Sequence, residues 1–503
     1  MNLFDHLAQA HQQNPQGACL HIECESGLQS ISWAEIDALS ARMANWIMSL
    51  NLAPQSRILV QIEKSAEALC FYLASLRSGM IYVPLNTAYQ EAELAYFIAD
   101  AEPGILIARP QDLAKLRELA HCPPVYGLAN DYQAADSVLT LAASFADRFH
   151  SVDLQAQQLA AILYTSGTTG RSKGAMLSHA NLLSNAQTLH QLWGWRRDDV
   201  LLHSLPIFHV HGLFVASHGA LLAGASMIFL EKFELNQVLH YLPQSTVFMG
   251  VPTYYVRLLA SPNFNETLCR TMRLFISGSA PLLLDTHTEF QRRSGHSILE
   301  RYGMSETTML TSNPYLGVRK PGSVGPALPG VSLRIRDANG ALCATDQIGA
   351  IEVKGDNVFA GYWRMPEKTA AEFTADAYFM TGDLGYRDAD NYIFIVGRSK
   401  DLIISGGYNV YPKEIESYLD ELPGVAESAV IGLPHADFGE AVCAVVVARN
   451  GAQVDAAELI ASLKQKIAGF KVPKHIYLVS ELPRNTMGKV QKNRLREQFS
   501  QPQ

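Results

Sequence analysis

The chain has 503 residues, 48% hydrophobic and 17% charged, with a formal net charge of −8. That length predicts several folding units at ~150 residues each, and the mildly acidic balance argues against nucleic acid as a partner. Seven scattered cysteines with no CxxC pair argue for a reducing compartment and against a disulfide framework or zinc centre.

The first 16 residues carry Asp5, no arginine and no basic stretch ahead of an apolar core. No signal or transit peptide is expected, and the cytoplasm follows by elimination. Hydrophobic spacing then predicts helices over 33–50, 66–78 and 91–100, alternating with strands over 57–62, 81–84 and 105–108. This β–α–β–α order implies a largely parallel sheet covered by helices. The stretch 110–153 is polar and broken and reads as surface helices and loops.

An apolar run, 159–164, reads as a buried strand that stops in Thr165-Ser-Gly-Thr-Thr-Gly-Arg-Ser-Lys-Gly174. Three glycines there let the backbone turn tightly and point N–H groups inward, five hydroxyls add donors, and Arg171 and Lys173 add positive charge. That is the chemistry of a phosphate cradle, and the plain alternative is a solvent-exposed turn. It is not a Walker A loop, because Ser172 follows Gly167 by five residues and Ala175 follows Gly170 by five. The first helix-cap signal is Ser178, ahead of Leu182, Leu183, Ala186 and Leu189, so the loop is expected to join two strands.

Further strands are predicted over 200–202, 247–249 and 274–277. The apolar stretch 213–230 approaches membrane-span length, but Ser217, His218, Gly219, Gly224 and Ser226 make it a buried helix followed by a strand over 226–230. His209 and His211 flank Val210; as metal ligands they lack a nearby Cys, Asp or Glu, which favours one lining a pocket and the other packing. After the strand-like 297–299 comes Glu300-Arg-Tyr-Gly-Met-Ser-Glu306, read as a loop whose carboxylate could hold Mg²⁺ against phosphate. From 331 onward short strands over 331–335, 351–353 and 392–396 suggest a small barrel-like β subdomain. Within it, Asp383 in Thr381-Gly-Asp383 could bind ribose hydroxyls, or simply make a turn. The charged run 398–401 is a hinge or a hairpin turn. Beyond it, a helix over 412–422, strands near 428–431 and 441–447 and a helix over 455–467 make a compact α+β unit. Lys489 lies in a basic tail that composition alone does not single out.

In order, Tyr164-Thr-Ser-Gly-Thr-Thr-Gly170, Tyr302-Gly-Met-Ser-Glu306, Thr381-Gly-Asp383, Gly397-Arg398 and Gly488-Lys489 resemble the AMP-forming acyl-CoA synthetase and adenylation-domain superfamily over essentially the whole chain. With the element order, the resemblance implies an α/β fold. A large N-terminal domain, 1–399, would combine parallel-type sheets, helices and the small barrel-like subdomain; a small mobile α+β lid, 400–503, would follow. It implies ATP and CoA as co-substrates, Mg²⁺ as cofactor and small-molecule partners, with no nucleic acid and the oligomeric state open. Tyr164, Thr165, Ser166, Gly167, Thr168, Thr169, Gly170, Arg171 and Lys173 would hold the β- and γ-phosphates, with Thr165 and Glu306 as the Mg²⁺ contacts. Ser277, Tyr302, Gly303 and Ser305 would frame the adenine end, while Asp383 and Arg398 hold the ribose. Lys489, with His209 and Glu306, would form the catalytic set. Lys400 would be the hinge and Gly406 and Gly407 the approach to the pantetheine arm.

Within the superfamily, the segments around 205–216, 249–259 and 274–282 are similar to the malonyl-CoA synthetases. A dicarboxylic acid needs its second carboxylate neutralised in the acyl pocket. Arg257 and Arg301 are expected to do this together, beside Ser277, with Val210 and Met309 lining the pocket and malonate against methylmalonate left open. The rival readings are a ligase for a monocarboxylic fatty or aromatic acid, an enzyme loading a carrier protein, and a nucleotide-binding protein without catalysis.

Overall fold

The structure is a computed structural model that describes residues 1–25, 27–165, 172–405, 408–435, 437–485 and 488–500. Local chemistry sets its elements. The Ser32 hydroxyl accepts from the Glu35 N–H while the Glu35 carboxylate accepts from the Ser32 N–H at 2.8 Å, and this reciprocal cap starts the helix Trp33–Ser49. In the next helix, Ala66–Arg77, every residue except Glu67 is buried, as expected for a helix apolar on all sides. The runs Ile81–Pro84 and Ile105–Ala108 are buried on both faces, the mark of strands inside a covered parallel sheet.

Among the described residues the strands form four sheets. The first runs Val125–Gly127, Ile105–Ala108, Arg57–Gln61, Ile81–Pro84, Leu159–Thr165 and Lys173–Ser178, parallel except for the last pair. The second has a parallel interior made of Leu299–Met304, Leu274–Ser277, Val247–Gly250, Val200–His203, Ser226–Phe229 and Ala18–Cys24. An antiparallel strand closes each of its edges, Thr308–Ser312 at one and Gly27–Ser32 at the other. A single apolar core runs between these two sheets and includes the helix Ala66–Arg77. The third sheet, Ser332–Arg336, Gly349–Lys354, Phe379–Arg387 and Ile393–Arg398, is antiparallel in chain order. The C-terminal sheet pairs the long strands Val425–His435 and Gly439–Ala448; the helices Pro412–Asp420 and Ala456–Lys464 cover one face and Lys492–Phe499 the other. This is the mixed α/β architecture with a small C-terminal unit that the sequence predicts.

Four details differ from the sequence reading. The N-terminal hairpin Ala18–Cys24/Gly27–Ser32 was not expected, because its outer strand is largely exposed and carries no alternating apolar signal. The broken stretch 110–153 contributes the short strand Val125–Gly127. The segment read as a loop after 299 is the strand Leu299–Met304, so Glu300, Arg301, Tyr302 and Gly303 stand inside a sheet. The β subdomain is an open four-stranded sheet rather than a barrel, and Asp383 sits within its third strand.

The apolar stretch 213–230 divides into the end of a π-helical segment, His211–Ser217, the helix His218–Ala223 and the strand Ser226–Phe229. No helix among the described residues is long and apolar enough to cross a membrane. None of the seven cysteines is in a disulfide.

Burial pulls two core histidines far down, His218 to about 3 and His179 to about 4. Both are neutral in the fold and take up a proton when the chain unfolds, so between pH 6.5 and these values the unfolded state binds more protons. Stability therefore falls as pH drops through that window. Unfolding by urea at pH 7 and pH 5 should show a loss of roughly 2 kcal/mol per such histidine; a midpoint unchanged between the two pH values contradicts it.

Candidate active site

The site forms where the carboxyl ends of the second sheet's parallel strands meet the third sheet, the described ends of the glycine loop at Thr165 and Lys173, and the Lys489 turn of the C-terminal unit. Open α/β sheets hold ligands at such strand ends. Thr165 and Lys173 face each other across an antiparallel ladder, so the loop does join two strands. Ser166, Gly167, Thr168, Thr169, Gly170 and Arg171 lie outside the described residues, as do Gly406 and Gly407. The two ends of the loop correct the sequence reading. The Tyr164 hydroxyl donates to Asp100 Oδ2 at 2.5 Å and its ring packs on Phe97, so this side chain anchors the strand. Lys173 is buried, paired with Glu372 at 3.0 Å and seated over the Tyr362 ring, so its charge is neutralised within the protein.

The third sheet brings Asp383 and Arg398 together as directly opposed cross-strand residues. Arg398 Nε lies 2.8 Å from Asp383 Oδ1, and the Tyr302 hydroxyl donates to the other oxygen. The Asp383 carboxylate raises the Arg398 guanidinium above its ordinary range. Ser305 follows Met304 at the turn of the hairpin, half-buried. Glu306 is buried there, and that burial raises its carboxyl above the usual carboxylate range. The Tyr362 hydroxyl stands 3.1 Å from Glu306 Oε1.

Lys489 comes from the C-terminal unit on a tight turn. Asn485 Oδ1 accepts from the Lys489 N–H at 2.9 Å, Asn485 O accepts from the Gly488 N–H at 2.9 Å, and Gly488 adopts a φ of +74°. A side chain on Gly488 would begin 3.5 Å from Thr253, and Arg449 pairs with Asp285 at 3.3 Å, so this unit is seated on the larger one. Lys489 is an exposed residue, and Arg398, Asp383, Glu306 and Arg301 are all close enough to act on its ammonium. Crowding by protein and the Arg398 charge lower its pKa, while Asp383 and Glu306 raise it, with a net fall.

Arg301 is the unusual group. It is buried, and among the described residues no hydrogen-bond partner meets its Nε or Nη2. Burial drags its pKa down to about 9. Its guanidinium lies against the backbone of Gly278, where a Cβ would stand 2.3 Å from the guanidinium carbon. Around it are Ser277, whose buried hydroxyl also has no partner among the described residues, and His209 and His211, both pushed down by burial. His209 falls to about 3, with Lys489 and Arg301 adding to the effect, so it is a neutral imidazole at the mouth of this site. Ser279 Oγ lies 3.3 Å from His211 Nδ1 and takes a positive φ of 71°, a strained conformation of the kind found at ligand sites. An unpaired cation beside an unpaired hydroxyl is a receptor for an anion.

Arg257 does not join it. It is exposed on the helix Pro252–Ala260 with its guanidinium 5.9 Å from the Phe233 ring, so the expected pair of buried forks reduces to one. Val210 and Met309 are both buried; Asn185 holds the Met309 backbone from both sides, and the Met309 methyl lies 2.7 Å from where a Gly303 Cβ would stand. Lys400 is exposed in the turn Ser399–Asp401 between the third sheet and the C-terminal unit. Sequence reasoning missed Tyr362 and Glu372. Gly361-Tyr362-Trp363 was a visible aromatic cluster after a glycine, but its partner Glu306 is 56 residues away.

The donor set also bears on Mg²⁺. Among the described residues no three His, Cys, Asp or Glu side chains converge as a cage. One buried carboxylate, Glu306, and one hydroxyl, Thr165, suit an ion that keeps its waters and takes most ligands from phosphate.

Residues 7–363 match the family model described as AMP-binding enzyme, and residues 414–489 match the AMP-binding enzyme C-terminal domain. The chain belongs to the AMP-binding enzyme family. It is 35% identical over 485 residues to a malonate–CoA ligase of Arabidopsis thaliana, covering 88% of this chain and 78% of that one. It also superposes on ATP-bound MatB from Rhodopseudomonas palustris with a TM-score of 0.96, at 53% identity and 99% coverage of both chains. For the apo form of MatB the TM-score is 0.85, at 52% identity and 99% coverage of both chains. The arrangement of this chain is thus nearer the nucleotide-bound form. ATP and CoA are substrates of the CoA ligases in this family.

The close approach at Gly278 gives a direct test of the anion receptor. Gly278→Ala should displace the Arg301 guanidinium and raise KM for the acid roughly 10- to 100-fold, the cost of overpacking a tight site, with KM for ATP little changed. Steady-state kinetics with each substrate varied in turn checks this.

Proposed function

We propose that this chain ligates malonate to coenzyme A through an acyl adenylate. The observation that carries the reading is the buried, unpartnered Arg301 guanidinium, which calls for a second carboxylate that a fatty or aromatic acid lacks. One malonate carboxylate attacks the α-phosphorus of ATP, the bond to pyrophosphate breaks, and malonyl-AMP forms. The CoA thiol then attacks the acyl carbon and AMP leaves.

Each residue has a part suited to its chemistry. Arg301 takes the distal carboxylate, aided by the Ser277 hydroxyl, in a pocket closed by Val210 and Met309. Asp383, oriented by Arg398 and Tyr302, accepts from the ribose hydroxyls. Lys489 places its ammonium against the charge that grows at the α-phosphate. Neutral His209 lines the passage between the acid and Lys489 without adding charge. Glu306 and Thr165 would hold Mg²⁺, which neutralises phosphate charge and orients the pyrophosphate as a leaving group. Because Lys489 serves only adenylation, the unit 400–503 turns about Lys400 relative to 1–399 for the thioester step, and Gly406 and Gly407 then admit the pantetheine arm. The cytoplasm suits a chain with seven cysteines and no disulfide.

The test is AMP formation with free CoA and malonate, methylmalonate, acetate or octanoate in turn. Malonate is expected to lead. Preference for octanoate supports a monocarboxylate ligase instead, and adenylation without transfer to free CoA supports a carrier-protein acceptor.

A further inference from the structure

We propose that Tyr362 is the positioning residue for Glu306 and ties that carboxylate to the exit of the glycine loop. Its hydroxyl lies 2.7 Å from Glu372 Oε2 and 3.1 Å from Glu306 Oε1. A phenol has one proton to donate. The O–H lies within donating reach of both carboxylates, so its one proton is shared between Glu372 Oε2 and Glu306 Oε1. A buried carboxylate held in that way is completed by a cation on its open side.

Glu372 is fixed in turn. Its Oε1 meets Lys173 Nζ at 3.0 Å and Lys368 Nζ at 2.8 Å, and the Lys173 ammonium also sits 4.6 Å from the Tyr362 ring centre. Lys173 opens the strand that leaves the glycine loop. The backbone repeats the connection. Tyr362 bridges Ala175, the Trp363 N–H donates to Gly174 O at 2.8 Å, and the Met176 N–H donates to Gly361 O at 3.0 Å. The Phe359 N–H donates to Glu306 O at 2.8 Å, so main chain and side chain of Glu306 are both held by the segment 359–362. A movement of the loop exit therefore reaches the Glu306 carboxylate through two contacts. Tyr362 touches neither substrate nor reacting atoms; it acts through Glu306, and the proposal rests on the reading of Glu306 as the Mg²⁺ contact.

The full chain carrying Tyr362→Phe, Glu372→Gln or Glu306→Gln is titrated with ATP by calorimetry, in excess Mg²⁺ and in EDTA. Tyr362→Phe and Glu372→Gln are each expected to weaken binding in Mg²⁺ by roughly tenfold while Kd in EDTA holds within about twofold, as for loss of a group orienting a metal ligand. The Mg²⁺ midpoint for pyrophosphate release should rise in step, and Tyr362→Phe should add nothing in the Glu306→Gln background. Equal weakening with and without Mg²⁺, or a lowered Tm with parallel loss of thioester formation from supplied acyl adenylate, makes Tyr362 merely structural and overturns the proposal. A normal Mg²⁺ response in Tyr362→Phe beside an altered one in Glu306→Gln overturns it alone. A normal response in Glu306→Gln removes the reading of Glu306 first, and the proposal with it.

Discussion

Lys489→Ala is expected to slow pyrophosphate release about 10²- to 10³-fold, the loss typical when one preorganised donor to developing charge is removed. The Lys489 backbone is fixed by a turn that uses Asn485 three times, and Asp383, Glu306 and Arg398 are close enough to act on the ammonium. In water, a neighbouring charge contributes little; here the surrounding protein reduces screening. The second half-reaction displaces AMP without attack at phosphorus, so thioester formation from supplied malonyl-AMP should proceed at close to the native rate. Single-turnover measurement of both steps separates them. Equal loss in both would mean that Lys489 supports the fold or the docking of the C-terminal unit instead.

Arg301→Met should lower kcat/KM for malonate about 10²- to 10³-fold, since stranding a buried charge without its partner costs about 3–5 kcal/mol. The same change should raise the Tm of the ligand-free protein. Arg301 is buried with two nitrogens unpartnered, and methionine fills a similar space without a charge to desolvate. A gain in stability with a loss of activity is the mark of a site built for a ligand. A fall in Tm with equal losses for all acids would instead make Arg301 structural.

Local signals in the sequence were read well where periodicity decides them. The capping hydroxyl of Ser178 placed the glycine loop between two strands, and the strand Leu274–Ser277 appears at the predicted residues. What the sequence concealed were partners far along the chain. Lys173 reads as a phosphate ligand because nothing near it neutralises its charge; Glu372 does so from 199 residues away. Tyr302 and Asp383 meet across 81 residues, and a Gly-Asp dipeptide looks like a turn even when it lies within a strand. Polar residues buried for a site look like loop residues, which is why Glu300 to Gly303 were not assigned to a sheet. Arg257 was legible in principle. The buried face of its helix is set by Tyr255 and Leu258, a spacing of three, and position 257 falls outside it.

The proposed function turns on selection of a second carboxylate by Arg301 in the acyl pocket. Isovalerate has the shape of malonate with an isopropyl group in place of one carboxylate, so the ratio of their kcat/KM values in pyrophosphate release isolates charge from size. Malonate is expected to be favoured by at least about 100-fold, falling towards parity in Arg301→Met. Isovalerate used as well as malonate by the unaltered protein would contradict the proposed function.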